Sequence, residues 1–119
     1  MSRSAVSVFV FGIYLLLLGA VLVIVPNVLL TVLFVPPTNE VWIRVVGMLI
    51  LFLGVYYVLA ARAELRQFFP WTVYVRSSVI VFFAAFVILG FAPVQLILFG
   101  SVDLAAALWT AWALRSAKA

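Results

Sequence analysis

The chain has 119 residues, 70% hydrophobic and 8% charged, with a formal net charge of +4 and a mean hydropathy of +1.43. A soluble domain has about half its residues apolar and roughly a quarter charged, so a free-standing soluble protein is excluded. Four membrane spans of about 20 residues would use roughly 80 and leave short loops and tails, so no separate soluble domain fits.

The first apolar run, Ala5–Val25, is too long for a signal-peptide core, and no A-x-A-like cleavage site follows it. It reads as an uncleaved helix. Pro26-Asn27 interrupts the run, Val28–Phe34 is apolar again, and Pro36-Pro37-Thr38 stops it. A helix running straight through would reach about 45 Å and overshoot the bilayer. A short interfacial or kinked helix is therefore expected after Pro26. Three further spans follow at Val41–Ala61, Trp71–Phe91 and Pro93–Leu114. Lipid offers the backbone no hydrogen-bond partner, so each span must be a helix. The runs lack the period-2 alternation of a membrane β-barrel. The expected fold is an all-α integral membrane four-helix bundle, a single transmembrane domain over residues 1–119 with short loops.

In that arrangement Arg3, Arg62, Arg66, Arg115 and Lys118 fall on one side of the membrane, Arg76 lies nearest that side, and Arg44 lies near the other. Basic loops stay in the cytoplasm, so both termini are expected inside. Trp42, Trp71, Trp109 and Trp112 stand near span ends, as interfacial anchors do. The basic residues form no stripe, which leaves nucleic acid out as a partner.

The chain has no His and no Cys. Disulfides, thiol nucleophiles, His-based triads and the usual ligands of zinc, haem and iron–sulfur centres are thereby removed. Its acids are Glu40, Glu64 and Asp103, too few and too scattered for a carboxylate cage. Neither a metal nor a cofactor is expected.

Apolar contact between helices gains little in lipid, so close approach relies on small residues. Gly12 and Gly19 lie seven apart on the first span, and Gly47 and Gly54 repeat that spacing on the second. The first two spans are thus expected to form the tightest pair. The second glycine stripe continues through Glu40, Arg44, Leu51, Val58 and Arg62 at helical spacing. Thr72, Arg76, Phe83 and Gly90 share a face of the third span; Asp103 shares one of the fourth with Phe99, Ala106, Ala107 and Thr110.

Asp103 lies about midway along the fourth span, where a lone carboxylate costs several kcal/mol unless paired, protonated or wetted. Arg44 and Arg76 are each displaced from it by roughly 9 Å along the membrane normal. Either one can close part of that gap. Two readings stand: a buried Asp103–Arg76 or Asp103–Arg44 bridge that fixes helix register, or a polar pocket for a ligand headgroup, protons or ions. Tyr57, with Tyr14, Tyr56 and Tyr74, is placed to fill spare hydrogen bonds. Glu40, before the second span, suits helix capping or ligand contact, and Arg62-Ala-Glu64-Leu-Arg66 reads as a solvated loop.

The run Pro36-Pro-Thr-Asn-Glu-Val-Trp-Ile-Arg44-Val-Val-Gly47, then Leu53-Gly54-Val-Tyr-Tyr57, Trp71-Thr-Val-Tyr-Val-Arg76 and Phe99-Gly-Ser-Val-Asp103, resembles a group of small bacterial four-helix membrane proteins, loosely similar in architecture to DoxX-like proteins. The resemblance implies a four-helix fold in a bacterial inner membrane and transfers no site residues. Size and helix count also invite comparison with small multidrug-resistance transporters. Those carry a glutamate in the first helix, where this chain has no acid.

Three functions remain open. The favoured one is a non-enzymatic bundle that associates with itself or another membrane protein and binds a lipid-like or small ligand at a buried Arg44–Arg76–Asp103 centre. The second is a small oligomeric transporter or channel using Asp103 with Arg44 or Arg76. The weakest is an enzyme acting on a lipid or isoprenoid, with Asp103 or Glu40 as acid or base.

Overall fold

The computed structural model describes Met1–Lys118, with side chains as far as Ser116; the Lys118 side chain, counted above among the basic residues, lies outside the described residues. The described residues form five helices and no strand: α1 (Arg3–Ile24), α2 (Pro26–Val32), α3 (Trp42–Arg62), α4 (Phe68–Ile88) and α5 (Leu96–Lys118). Helices α1, α3, α4 and the stretch Leu96–Ser116 of α5 are each long and apolar enough to cross a membrane.

Two spans, the third and the fourth, shift from where hydropathy puts them. Helix α4 starts at Phe68 rather than Trp71, which places Pro70 in its first turn. Proline is tolerated there because a first-turn N–H has no intrahelical acceptor. The helix stops at Ile88 because Gly90 takes a left-handed φ of 78°. The Phe91 N–H then bonds Phe86 O and the Gly90 N–H bonds Val87 O, a Schellman closure. Helix α5 starts at Leu96 rather than Pro93, since Pro93, Val94 and Gln95 form turns that accept from the N–H groups of Leu96, Ile97 and Leu98. The same closure ends α2 and α3 without glycine. Phe34 (φ 58°) and Glu64 (φ 54°) occupy the left-handed position, and the bonds Val35 N–H to Leu30 O and Leu65 N–H to Ala60 O complete it.

The chain divides into two compact parts, Phe9–Leu59 and Met1–Val8 together with the chain from Ala60 onward. Within the first part, α1 and α3 run antiparallel along their glycines. A Cβ added at Gly19 would stand 2.6 Å from Leu51 N and 2.7 Å from Gly47 O. One added at Gly47 would stand 2.7 Å from Leu22 Cβ and 3.0 Å from Gly19 O, and one at Gly54 3.0 Å from Gly12 O. At Gly19, Gly47 and Gly54 the two backbones therefore meet with the glycine facing a carbonyl of the other helix, the geometry of Cα–H···O contacts. At one end of this seam Tyr57, 7% exposed, packs its ring 5.6 Å from that of Phe11.

In the second part α4 and α5 are antiparallel neighbours. Gly100 sets its backbone against Ile80, where an added Cβ would lie 3.2 Å from Ile80 Cα. The N-terminal segment is fixed by hydrogen bonds. Ser2 Oγ donates to Glu64 at 2.8 Å and accepts from the Ala5 N–H at 3.2 Å, while the Ser2 N–H donates to the same carboxylate. Ser2 thus caps α1 and ties it to the α3–α4 turn.

These bonds hold the Glu64 carboxyl below the usual glutamate range, first through the Ser2 amide and then through its hydroxyl. A depressed folded pKa means stability that is present above the unfolded value and lost as pH falls through the folded one. The Ala5 amide should therefore be protected at neutral pH, relative to its intrinsic exchange rate at the same pH, and lose that protection on acidification below the ordinary glutamate range. In Glu64→Gln that acid step should disappear. An Ala5 exchange rate with the same pH profile in both proteins would count against the tie.

Candidate functional site

The interior of the second part holds a charge. Arg76, 2% exposed, stands in the middle of α4 with its side chain leaning back one turn toward Thr72, along the tilt that every helical Cα–Cβ bond has toward the N-terminus. Its Nε donates to Thr72 O at 3.2 Å, and its Nη2 donates to Thr72 Oγ1 and Thr110 Oγ1, both at 2.9 Å. The two hydrogens of Nη2 thus match two hydroxyl acceptors, one from α4 and one from α5.

Counting donors fixes the direction of every bond in this cluster. Each hydroxyl has one hydrogen. Thr72 uses its own on Phe69 O at 2.7 Å, and Ser7 uses its own on Ser4 O at 2.7 Å. The 2.7 Å contact between Ser7 and Thr110 must then run from Thr110 to Ser7. The result is a directed chain: Arg76 to Thr110, Thr110 to Ser7, Ser7 to the Ser4 carbonyl. Ser7 and Thr110 are fully buried, and Ser4 and Thr72 are 3% exposed. Each bond in such a chain polarises the next, spreading the positive charge over three helical segments.

The other candidate residues stand as follows. Asp103 is half-buried on α5, in the same part of the chain as Arg76 and seven residues before Thr110. Seven residues is two turns, about 10 Å along the helix. In an antiparallel pair the Arg76 side chain, reaching toward the start of α4, reaches toward the Thr110 end of α5, and its charge still acts on the Asp103 carboxylate. Arg44 belongs to the first part, where its Nη1 donates to Val23 O and, at 3.3 Å, to Ile24 O. It thereby serves the last carbonyls of α1, a position where a cation also complements the helix dipole. Tyr57 lines the glycine seam against Phe11. Glu40 is exposed ahead of α3, with its N–H donating to Thr38 Oγ1 at 3.1 Å. Among the described residues no group of three or more acidic side chains could hold a metal ion.

Hydropathy and helical spacing pass over Ser7 and Ser2. A serine in an apolar run has no periodic signature of its own. The signal available was Thr72, one turn before Arg76, which puts a hydroxyl acceptor on the arginine's own face. No protein-family model, curated protein or solved structure matches the chain.

Proposed function

We propose that this chain is a non-enzymatic protein of the bacterial inner membrane that associates with itself or with another membrane protein and holds a lipid-like or small ligand at a polar centre built on Arg76 and Asp103. The observation that carries this reading is the Arg76 guanidinium, enclosed at mid-helix among hydroxyls. A charge at such depth costs several kcal/mol, and charged groups kept there mark sites of binding or passage. The orientation with both termini cytoplasmic rests on Arg3, Arg62, Arg66 and Arg115 flanking the same side of the spans. The bacterial setting rests on the resemblance, which covers most of the chain from Pro26 onward. In this orientation α2, with Val28 and Val32 exposed beside Phe34, lies in the outer interface.

Native mass spectrometry of the protein released from gently solubilised membranes tests the reading. It reports subunit number and retained small molecules together. The expected result is a bound small molecule that is lost in Arg76→Met and in Asp103→Asn. A ligand-free monomer in the wild type would overturn it.

A second reading, a small oligomeric transporter, is favoured by Asp103, a half-buried carboxylate within a span. It expects substrate flux that falls in Asp103→Asn, and normal flux in that variant would remove it.

A further inference from the structure

Leu108, Ala111, Trp112, Arg115 and Ser116 line an open groove of about 410 Å³ along α5. They recur at i, i+3, i+4, i+7 and i+8, so they form one face of the helix. The face changes character along its length. Leu108, 59% exposed, and Ala111 make its deeper end apolar; Arg115 and Ser116 put a guanidinium and a hydroxyl at the shallower end, with Trp112, 60% exposed, between them.

Charge around the shallow end is one-sided. The Ser7–Thr110 bond aligns the start of α1 with the last turns of α5, and the Ser2–Glu64 bonds bring the α3–α4 turn to the same level. Arg3, Arg62, Arg66 and Arg115 are all exposed at that level. The acid among them, Glu64, is taken up by the amide and hydroxyl of Ser2. A second copy laid in parallel on this face would set Arg115 against the same arginines.

We propose that this groove holds one anionic phospholipid of the adjoining leaflet, its phosphate on Arg115 and Ser116 and an acyl chain along Ala111 and Leu108. Arginine gives phosphate a paired N–H fork, serine adds a hydroxyl donor, and tryptophan suits the glycerol level between them. The site is separate from the Arg76 centre and stands whether or not that centre binds anything.

The test uses the full chain in nanodiscs of equal phosphatidylglycerol and phosphatidylcholine, with retained lipids counted by native mass spectrometry after release. Phosphatidylglycerol should be enriched on the wild type. Arg115→Gln should reduce that enrichment about fivefold, the size of one basic contact at an anionic surface. Arg66→Gln, a charge lost from the same end but outside the groove, should change it by less than about twofold because that side chain makes no contact with the bound phosphate and its charge is screened from it. Arg115→Gln replaces an exposed side chain, and unchanged helicity by circular dichroism shows that the variant is folded. The proposal is overturned by no enrichment on the wild type, by equal losses in Arg66→Gln and Arg115→Gln, or by a lipid-free dimer. A lipid lost in Arg76→Met but kept in Arg115→Gln would belong to the other site and would equally overturn this assignment.

Discussion

Gly19→Ala is expected to lower the stability of the detergent-solubilised protein by about 1–3 kcal/mol, and Gly19→Leu to prevent α1 and α3 from pairing. The reason lies in what the new carbon would meet. At Gly19 the nearest atoms are Leu51 N, Gly47 O and Leu51 Cα, at 2.6, 2.7 and 2.8 Å. All three are main-chain atoms of α3. No rotamer change moves them, so the helices must separate and give up contacts along the whole seam. Gly12 provides the comparison. Its closest neighbour is a side-chain atom, Val58 Cγ2 at 2.9 Å, and the nearest main-chain atom, Val58 N, stands further off at 3.1 Å. Gly12→Ala should therefore cost clearly less than Gly19→Ala. Thermal unfolding followed by circular dichroism measures both. Equal midpoints for the two variants would mean that the backbones do not meet at Gly19 as described.

Thr110→Val should destabilise the protein by about 1.5–3 kcal/mol, the range for a hydrogen bond to a charged group. It keeps the side-chain volume and removes both links of the directed chain at once: the acceptor for Arg76 Nη2 and the donor to Ser7. Thr110→Ser keeps the hydroxyl and should restore most of the loss. Arg76→Met is expected to cost less than Thr110→Val, although it deletes the larger group. With the guanidinium gone, Thr72 still donates to Phe69 O, Thr110 to Ser7 and Ser7 to Ser4 O, so no hydroxyl loses its acceptor. Removing a buried charge together with its desolvation cost is often neutral or stabilising. The same thermal series decides the order. If Arg76→Met proves the worse of the two, the arginine is a structural pin and the case for a binding centre fails. If Arg76→Met is well tolerated, the stability of the helices does not explain why a cation stands there.

The glycine seam and the arginine cluster differ in how far the sequence alone reveals them. Four apolar runs near the length of a bilayer core are a strong signal, because lipid leaves the backbone no alternative to the helix. The seven-residue spacing of Gly12, Gly19, Gly47 and Gly54 also puts small residues on one face in each of two runs. It cannot give the register, which depends on Leu51, Leu22 and Val58 as much as on the glycines. Gly100 had no partner at that spacing, and its contact with Ile80 follows from the α4–α5 pairing. Thr72 and Thr110 were visible as neighbours of Arg76 and Asp103 on helical faces. Their bonding to a single guanidinium atom was not, because it joins residues 34 apart in the chain. Ser2 and Glu64, 62 apart, meet for the same reason. Glu64 adds a local surprise, since a non-glycine residue at a left-handed φ carries no consistent sequence mark.

The hydroxyls inside the helices bear on how the chain enters a bilayer during synthesis. Thr31, Thr72, Ser78 and Ser101 each donate to a carbonyl three or four residues earlier in the same helix. Arg76 is held in part by its own helix, through Thr72 O and Thr72 Oγ1, before any bond to Thr110. A span leaving the translocon therefore carries most of its polar groups already wrapped and needs no waiting partner to enter lipid. For α4, which emerges while α5 is still being made, that self-sufficiency lets the ribosome deliver a buried cation one helix at a time.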